Sequence, residues 1–205
     1  MEYLVTQEEQ NKIKEAIESF ESKSDAEIVT VIAKQSDAYL YIPTLLAGVL
    51  AFILPYIYLF FGSLTQKEIA LVQLLTFFIL ATITRMKPIK MALIPASIKR
   101  KRSTNRANAK FVELLQQNSQ QNGLVMLYVS EAEKYVQILT DATIAQKVDN
   151  GQWSESVENF IARVKEGNIA QGYLETIAKT SGLLIELFPK TKEDRDTLPN
   201  HLILI

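Results

Sequence analysis

Asp25, Glu27 and Asp141 are the residues with the clearest potential for chemistry in this chain of 205 residues. Asp25 and Glu27 flank the start of an apolar run, EIVTVIA, and Asp141 follows a second run, KYVQIL. If both runs are strands of one sheet, the three carboxylates converge on one rim, where a hard cation such as calcium or magnesium takes oxygen ligands. Each residue also has an ordinary structural reading: Asp141 as a helix cap, Asp25 as a turn residue and Glu27 as a solvated strand end. Other chemistries find little support. The single histidine, His201, lies in the tail with no serine or carboxylate at a diagnostic spacing. No Gly-rich phosphate loop, HExxH or EF-hand pattern occurs. The chain has no cysteine, which excludes disulfides, thiol nucleophiles and thiolate metal sites.

The elements that must position these carboxylates are legible in order. Thr6 followed by Glu9 is a capping box, and Ile13, Ala16, Ile17 and Phe20 repeat on one face, predicting a helix over Gln7 to Glu21. Glu27 to Ala33 is almost continuously apolar and β-branched, the pattern of an interior strand. Such a strand cannot be stable in a 41-residue piece with one helix, so its partners must come from later in the chain. Candidates are Leu124 to Val129 and Lys134 to Leu139, joined by a turn at Ser130 to Glu133, with the second nearer an edge. Ala107, Phe111, Leu114 and Leu115 mark a helix before them, stopped by Asn122-Gly123. A short helix capped by Asp141 follows. Two more apolar stripes, from Trp153 to Val164 and from Ile169 to Phe188, predict helices separated by Gly167. A charged loop from Lys190 to Asp196 leads to the tail His201 to Ile205, expected to pair as a last strand or dock in a groove. Helices between short apolar strands predict an α/β fold with a mixed sheet.

Between the first strand and its partners lie two apolar runs. Ile42 to Phe61 carries no charge, and at 1.5 Å per residue it covers roughly 30 Å, the thickness of a bilayer's hydrocarbon core. Ile69 to Thr84 is shorter, with Lys67 and Arg85 placed to snorkel at its ends. Together they predict a transmembrane hairpin. Pro43 suits a helix start, Pro55 should kink the first span, and Gln73 and Thr76 are expected to face the partner helix. The organisation expected is therefore a first part of an α/β domain (1–41), the hairpin (42–84), a basic interfacial linker (85–102) and the second part of the domain (103–205). About 160 residues outside the hairpin suffice for one such domain.

Charge orients this arrangement. Residues 1–41 hold nine acidic and four basic side chains, whereas Arg85 to Lys110 holds nine basic and none acidic, inside a net charge of −1. By the positive-inside rule the basic flank, and with it both termini, is expected in the cytoplasm of a two-pass protein of the inner membrane. Lys99 to Arg102 is expected against anionic headgroups, and the absence of interleaved aromatics argues against nucleic acid as a partner.

The soluble segments resemble a known family. The turn and strand SKSDAEIVTVIA, the helix ANAKFVELL, the stretch NGLVMLYVSEAEKYVQILTD and the run WSESVENFIARVKEGNIAQGYLETIAKTSGLLIELFP look like the TPM domain, a family that includes many membrane-tethered bacterial proteins. The resemblance covers most of the chain outside Tyr39 to Arg102. It implies a Rossmann-like α/β/α sandwich, a phosphatase activity proposed for some members, and acidic loops that bind calcium or other divalent ions in some. The sequence departs from the family where the hairpin interrupts the domain after its first strand and where the family's glycine before Glu27 is replaced by Asp25-Ala26.

Two functions from different classes follow as expectations. One is a membrane-anchored TPM-like interaction module that assists assembly or quality control of a membrane complex, with the bilayer and another membrane protein as partners and no required cofactor. The other is a phosphatase on the same fold, dependent on calcium or magnesium held by Asp25, Glu27 and Asp141.

Overall fold

A computed structural model describes residues 5–59, 62–118, 123–148, 150–191 and 198–205. Phe60 and Phe61 at the end of the first apolar run, Asn122, and the charged loop from Lys192 to Asp196 lie outside the described residues. In chain order the elements are α1 (Gln7–Glu21), β1 (Glu27–Ala33), α2 (Tyr41–Tyr58), α3 (Gln66–Arg85), α4 (Lys87–Leu93), α5 (Ala96–Gln117), β2 (Leu124–Ser130), β3 (Tyr135–Thr140), α6 (Ala142–Ala145), α7 (Asn150–Glu166), α8 (Ile169–Leu187) and β4 (Ile203–Leu204). They form two compact units: Met1–Ser36 with Arg100–Ile205, and Asp37–Lys99.

The first unit is a mixed α/β domain built on a four-stranded sheet in the order β3-β2-β1-β4. β1 lies in the interior, as its apolar composition requires. It pairs in parallel with β2, Glu27 opposite Leu124 through Ala33 opposite Ser130, and in parallel with β4, Val31 opposite Ile203. The tail is thereby a strand. β2 and β3 are antiparallel, and β3 takes the edge. Period-two alternation sends Ile28 and Ile32 into one core with Val125, Leu127 and Val129, covered by α1, α7 and α8. Val29, Val31 and Ala33 enter a second core with Met126 and Tyr128, covered by Ala107, Phe111 and Leu114 of α5.

Local signals explain the helix boundaries. At the start of α1 the Thr6 hydroxyl accepts from the Glu9 amide at 3.3 Å and the Glu9 carboxylate accepts from the Thr6 amide at 2.7 Å, a complete capping box. Gly167 ends α7 at φ +87°, a conformation glycine adopts without strain; its amide bonds the Val164 carbonyl at 3.2 Å and the Asn168 amide bonds that of Arg163 at 2.9 Å. Residues 85–102, expected as a basic interfacial linker, are largely helical. They hold α4 and the first turns of α5, which runs unbroken through Lys99, Arg100, Lys101 and Arg102. Lys and Arg are good helix formers, and the buried positions Ser103, Ala107, Phe111 and Leu114 supply the helical spacing that anchors this helix.

In the second unit, α2 and α3 form an antiparallel pair. The Thr84 hydroxyl, at the end of α3, lies 3.5 Å from the Pro43 carbonyl at the start of α2. α2 buries Pro43, Ala47, Ala51 and Pro55, one small or compact residue per turn, and α3 buries Ala81 and Thr84, so the backbones approach closely. The helix persists through Pro55 to Tyr58. Gln73 and Thr76 are half-buried. A second capping box, Thr65 with Glu68, starts α3. Both helices are long and apolar enough to cross a membrane.

Close packing of α7 on α8 depends on Gly172. A Cβ there would lie 2.5 Å from the ring of Phe160, which is itself buried and stacked edge-on against Tyr173 at 4.9 Å. Gly182, on the same helix, would carry a Cβ into open space. Gly172→Ala is therefore expected to destabilise the domain by about 1–3 kcal/mol through overpacking, whereas Gly182→Ala is expected to stabilise it by about 0.5–1 kcal/mol through helix propensity. Urea denaturation of the two variants checks the opposite signs.

Candidate functional site

The sheet brings the three sequence-predicted carboxylates to one rim. Glu27 is opposite Leu124 in the β1–β2 register, and the Asp141 amide donates to the Leu124 carbonyl at 3.0 Å, so Glu27, Leu124 and Asp141 form a row across the strands. Asp25 precedes that row by two residues. The side chains of Asp141 and Asp25, however, have separate tasks. Asp141 Oδ1 accepts from the Ile144 amide at 2.9 Å and caps α6. Asp25 accepts from the Thr191 amide at 3.2 Å and from the Thr191 hydroxyl, and its own amide donates to the Phe188 carbonyl at 3.0 Å, which fastens the end of α8 to the start of β1. Glu27 is 7% exposed, and its amide donates to the Gly123 carbonyl at 2.8 Å. Among the described residues no group of three or more histidine or carboxylate side chains is arranged to hold a metal ion. His201 is exposed.

A second polar constellation, at the opposite rim, joins residues far apart in the sequence. The Ser36 hydroxyl lies 3.0 Å from that of Ser103, 2.8 Å from that of Ser130 and 3.2 Å from the phenol oxygen of Tyr128. Glu133 closes the group: Oε1 accepts from the Ser36 amide at 3.0 Å, and Oε2 accepts from the Ser130 hydroxyl. Ser130 sits at the end of β2, Ser103 on α5, and Glu133 in the turn between β2 and β3. Sequence reasoning missed this group because serines at strand ends read as turn residues, and only the fold joins positions 67 and 94 residues apart.

A serine hydroxyl bonded to a carboxylate resembles an activated nucleophile. Burial argues against that use. Ser36, Ser103, Ser130 and Tyr128 are all buried, leaving no approach for a substrate atom, and burial raises the Tyr128 phenol above its ordinary pKa, so it stays a neutral hydrogen-bonding group. The group works as a clasp. Ser36 is the last residue before the chain leaves the α/β unit and Ser103 comes one turn after its return at Arg100, so the clasp fixes both crossing points to the end of β2.

Two outcomes follow. Ser130→Ala removes a partner from both Ser36 and Glu133, and chemical denaturation should register a loss of about 1–3 kcal/mol. Saturating a true cation site would add about 2.7 kcal/mol at a hundredfold excess over Kd. Millimolar calcium or magnesium is expected instead to leave the melting temperature of the detergent-solubilised protein unchanged, and a rise abolished by Asp25→Asn with Asp141→Asn would restore the cation site.

No family model matches the chain, and no curated protein matches it. Among solved structures it is similar in fold to the BA42 protein of the psychrophilic bacterium Bizionia argentinensis, solved by NMR, with a TM-score of 0.61 at 20% identity over 100% of this chain and 97% of that one.

Proposed function

We propose that the protein is a membrane-anchored interaction module: a TPM-like α/β/α domain of Rossmann-like design, held at the cytoplasmic face by a two-helix transmembrane hairpin, that assists assembly or quality control of a membrane complex. The observation that carries this reading is the outward face of the hairpin. Leu45 is 69% exposed and Phe52 65%, and Leu71, Leu74, Leu75, Phe78 and Ile79 are exposed as well. A monomer in water seldom exposes a contiguous apolar patch beyond a few hundred Å². Only 22% of the first span and 11% of the second is buried, the reverse of a core helix in a soluble protein. Both helices satisfy their backbone internally, as a bilayer demands.

Orientation follows from charge. Arg85, Lys87, Lys90 and the Lys99 to Arg102 cluster flank the open end of the hairpin, and the turn at Gly62 to Glu68 carries Lys67 and Glu68 only. An interaction role also suits the two polar groups in the α/β unit, since Asp25 holds a loop, Asp141 caps a helix and the serine clasp is buried.

The test exploits the lack of cysteine. In intact cells, a thiol reagent that cannot cross the membrane is expected to modify Ser63→Cys and to spare Ser22→Cys and Thr191→Cys; modification of the last two would invert the topology. Hydrolysis of a generic phosphate ester by the purified protein is expected at background. Metal-dependent turnover lost in Asp25→Asn with Asp141→Asn would replace the module with the phosphatase.

A further inference from the structure

The exposed side of α2 carries a groove of about 690 Å³ lined by Tyr41, Thr44, Leu45, Gly48, Val49, Phe52 and Ile53. That volume lies within the roughly 300–1,000 Å³ of small-molecule sites. Gly48 forms its floor: a Cβ added there meets no atom within 4 Å. The lining is almost wholly apolar, and its one aliphatic hydroxyl, that of Thr44, is already bonded to the Leu40 carbonyl at 2.7 Å.

Three features of the second unit indicate what fills this groove. The first is length. From Tyr41 to Ile53 is twelve steps of helix, about 18 Å, close to one leaflet's share of a hydrocarbon core roughly 30 Å thick. The second is shape. α2 has already committed its compact stripe of Pro43, Ala47, Ala51 and Pro55 to the side that α3 covers, and the groove presents Thr44 and Gly48 about one turn apart, flanked by the bulky side chains of Tyr41, Leu45, Val49, Phe52 and Ile53. A flexible acyl chain fits such a surface. The third is charge. The Tyr41 end of the groove is the end at which α3 finishes, fixed by the contact of Thr84 with Pro43, and Arg85 and Lys87 follow there, both exposed. Lys90 donates to the Ala38 carbonyl at 3.1 Å and so ties α4 to the segment leading into α2.

We propose that this groove binds one anionic phospholipid, with an acyl chain lying along α2 over Gly48 and the phosphate met by Arg85 and Lys87. The site rests on the membrane reading above and goes beyond it, since a generic bilayer contact requires neither a preference for anionic headgroups nor a fixed groove. Bidentate hydrogen bonding from the Arg85 guanidinium and the point charge of Lys87 suit a phosphodiester.

The experiment uses the full chain purified in mild detergent, titrated with phosphatidylglycerol or phosphatidylcholine and read by native mass spectrometry. Wild-type protein is expected to retain phosphatidylglycerol in preference to phosphatidylcholine. Neutralising Arg85→Ser or Lys87→Ser should lower phosphatidylglycerol retention about fivefold per charge. Gly48→Leu, which fills the groove and leaves the charges in place, should lower retention of both lipids, while Leu75→Val on the exposed face of α3 should leave retention unchanged. Equal retention of the two lipids by the wild type, or full retention by Gly48→Leu, overturns the proposal. A dimer in the wild type that Gly48→Leu abolishes also overturns it and assigns the groove to a second copy. Alkaline carbonate extraction separates this inference from its premise: release of the wild type into the aqueous fraction defeats the membrane reading itself, whereas a protein that stays in the membrane without lipid preference defeats only the groove.

Discussion

The parallel pairing of β1 with β2 is the constraint on which the rest of the structure depends. β1 is buried along all seven residues, so neither edge of its backbone can be left to water. Its partners are β2 on one side and β4 on the other, and both come from beyond the inserted helices. About 90 residues separate β1 from β2 in sequence, and closing a flexible loop of that size would cost about 4 kcal/mol by the logarithmic rule. α2 and α3 shorten the effective loop by returning the chain antiparallel to its starting end. The serine clasp then holds the points of exit and return beside the end of β2.

The two faces of the sheet are stabilised in different ways. On one face α1, α7 and α8 enclose a large core, and Gly172 lets α7 and α8 approach closely enough for Phe160 to meet Tyr173. Tyr173 reaches from there to the Val31 carbonyl at 2.6 Å, and burial raises its phenol well above the ordinary value, so it remains a donor to the central strand. On the other face α5 alone supplies the helical layer, with Tyr135, Leu139, Ile203 and Ile205 only partly buried around it. α5 enters through its basic turns and leaves through a neutral end, so one helix serves both as core element and as the route back from the inserted unit.

Much of this was legible because local signals and burial agree. The Thr6 and Glu9 pair marks the start of α1, the β-branched run of Glu27 to Ala33 marks an interior strand, and the more polar Tyr135 to Thr140 marks an edge. The helical form of the basic interfacial segment is not legible in its clustered charge, because the small buried residues Ser103 and Ala107 that extend the helical spacing carry little hydrophobic signal. The carboxylate rim was readable from strand ends. What the side chains do there was not, since the tasks of Asp25 and Asp141 depend on the segment after α8 and on a four-residue helix. The clasp left no periodic trace, because each of its serines comes from a different element.

β4 gives the chain an order of assembly. The central strand emerges first, at residues 27–33, but its last neighbour, Ile203–Leu204, is made about 170 residues later. At about 5–20 residues per second of synthesis this is roughly 10 to 30 s. During that interval one edge of β1 has no strand to pair with, and the hydrophobic helices have already been translated. The helical pair is therefore free to form before the sheet closes, and the nascent N-terminal segment waits for Ile203–Leu204 to complete the sheet.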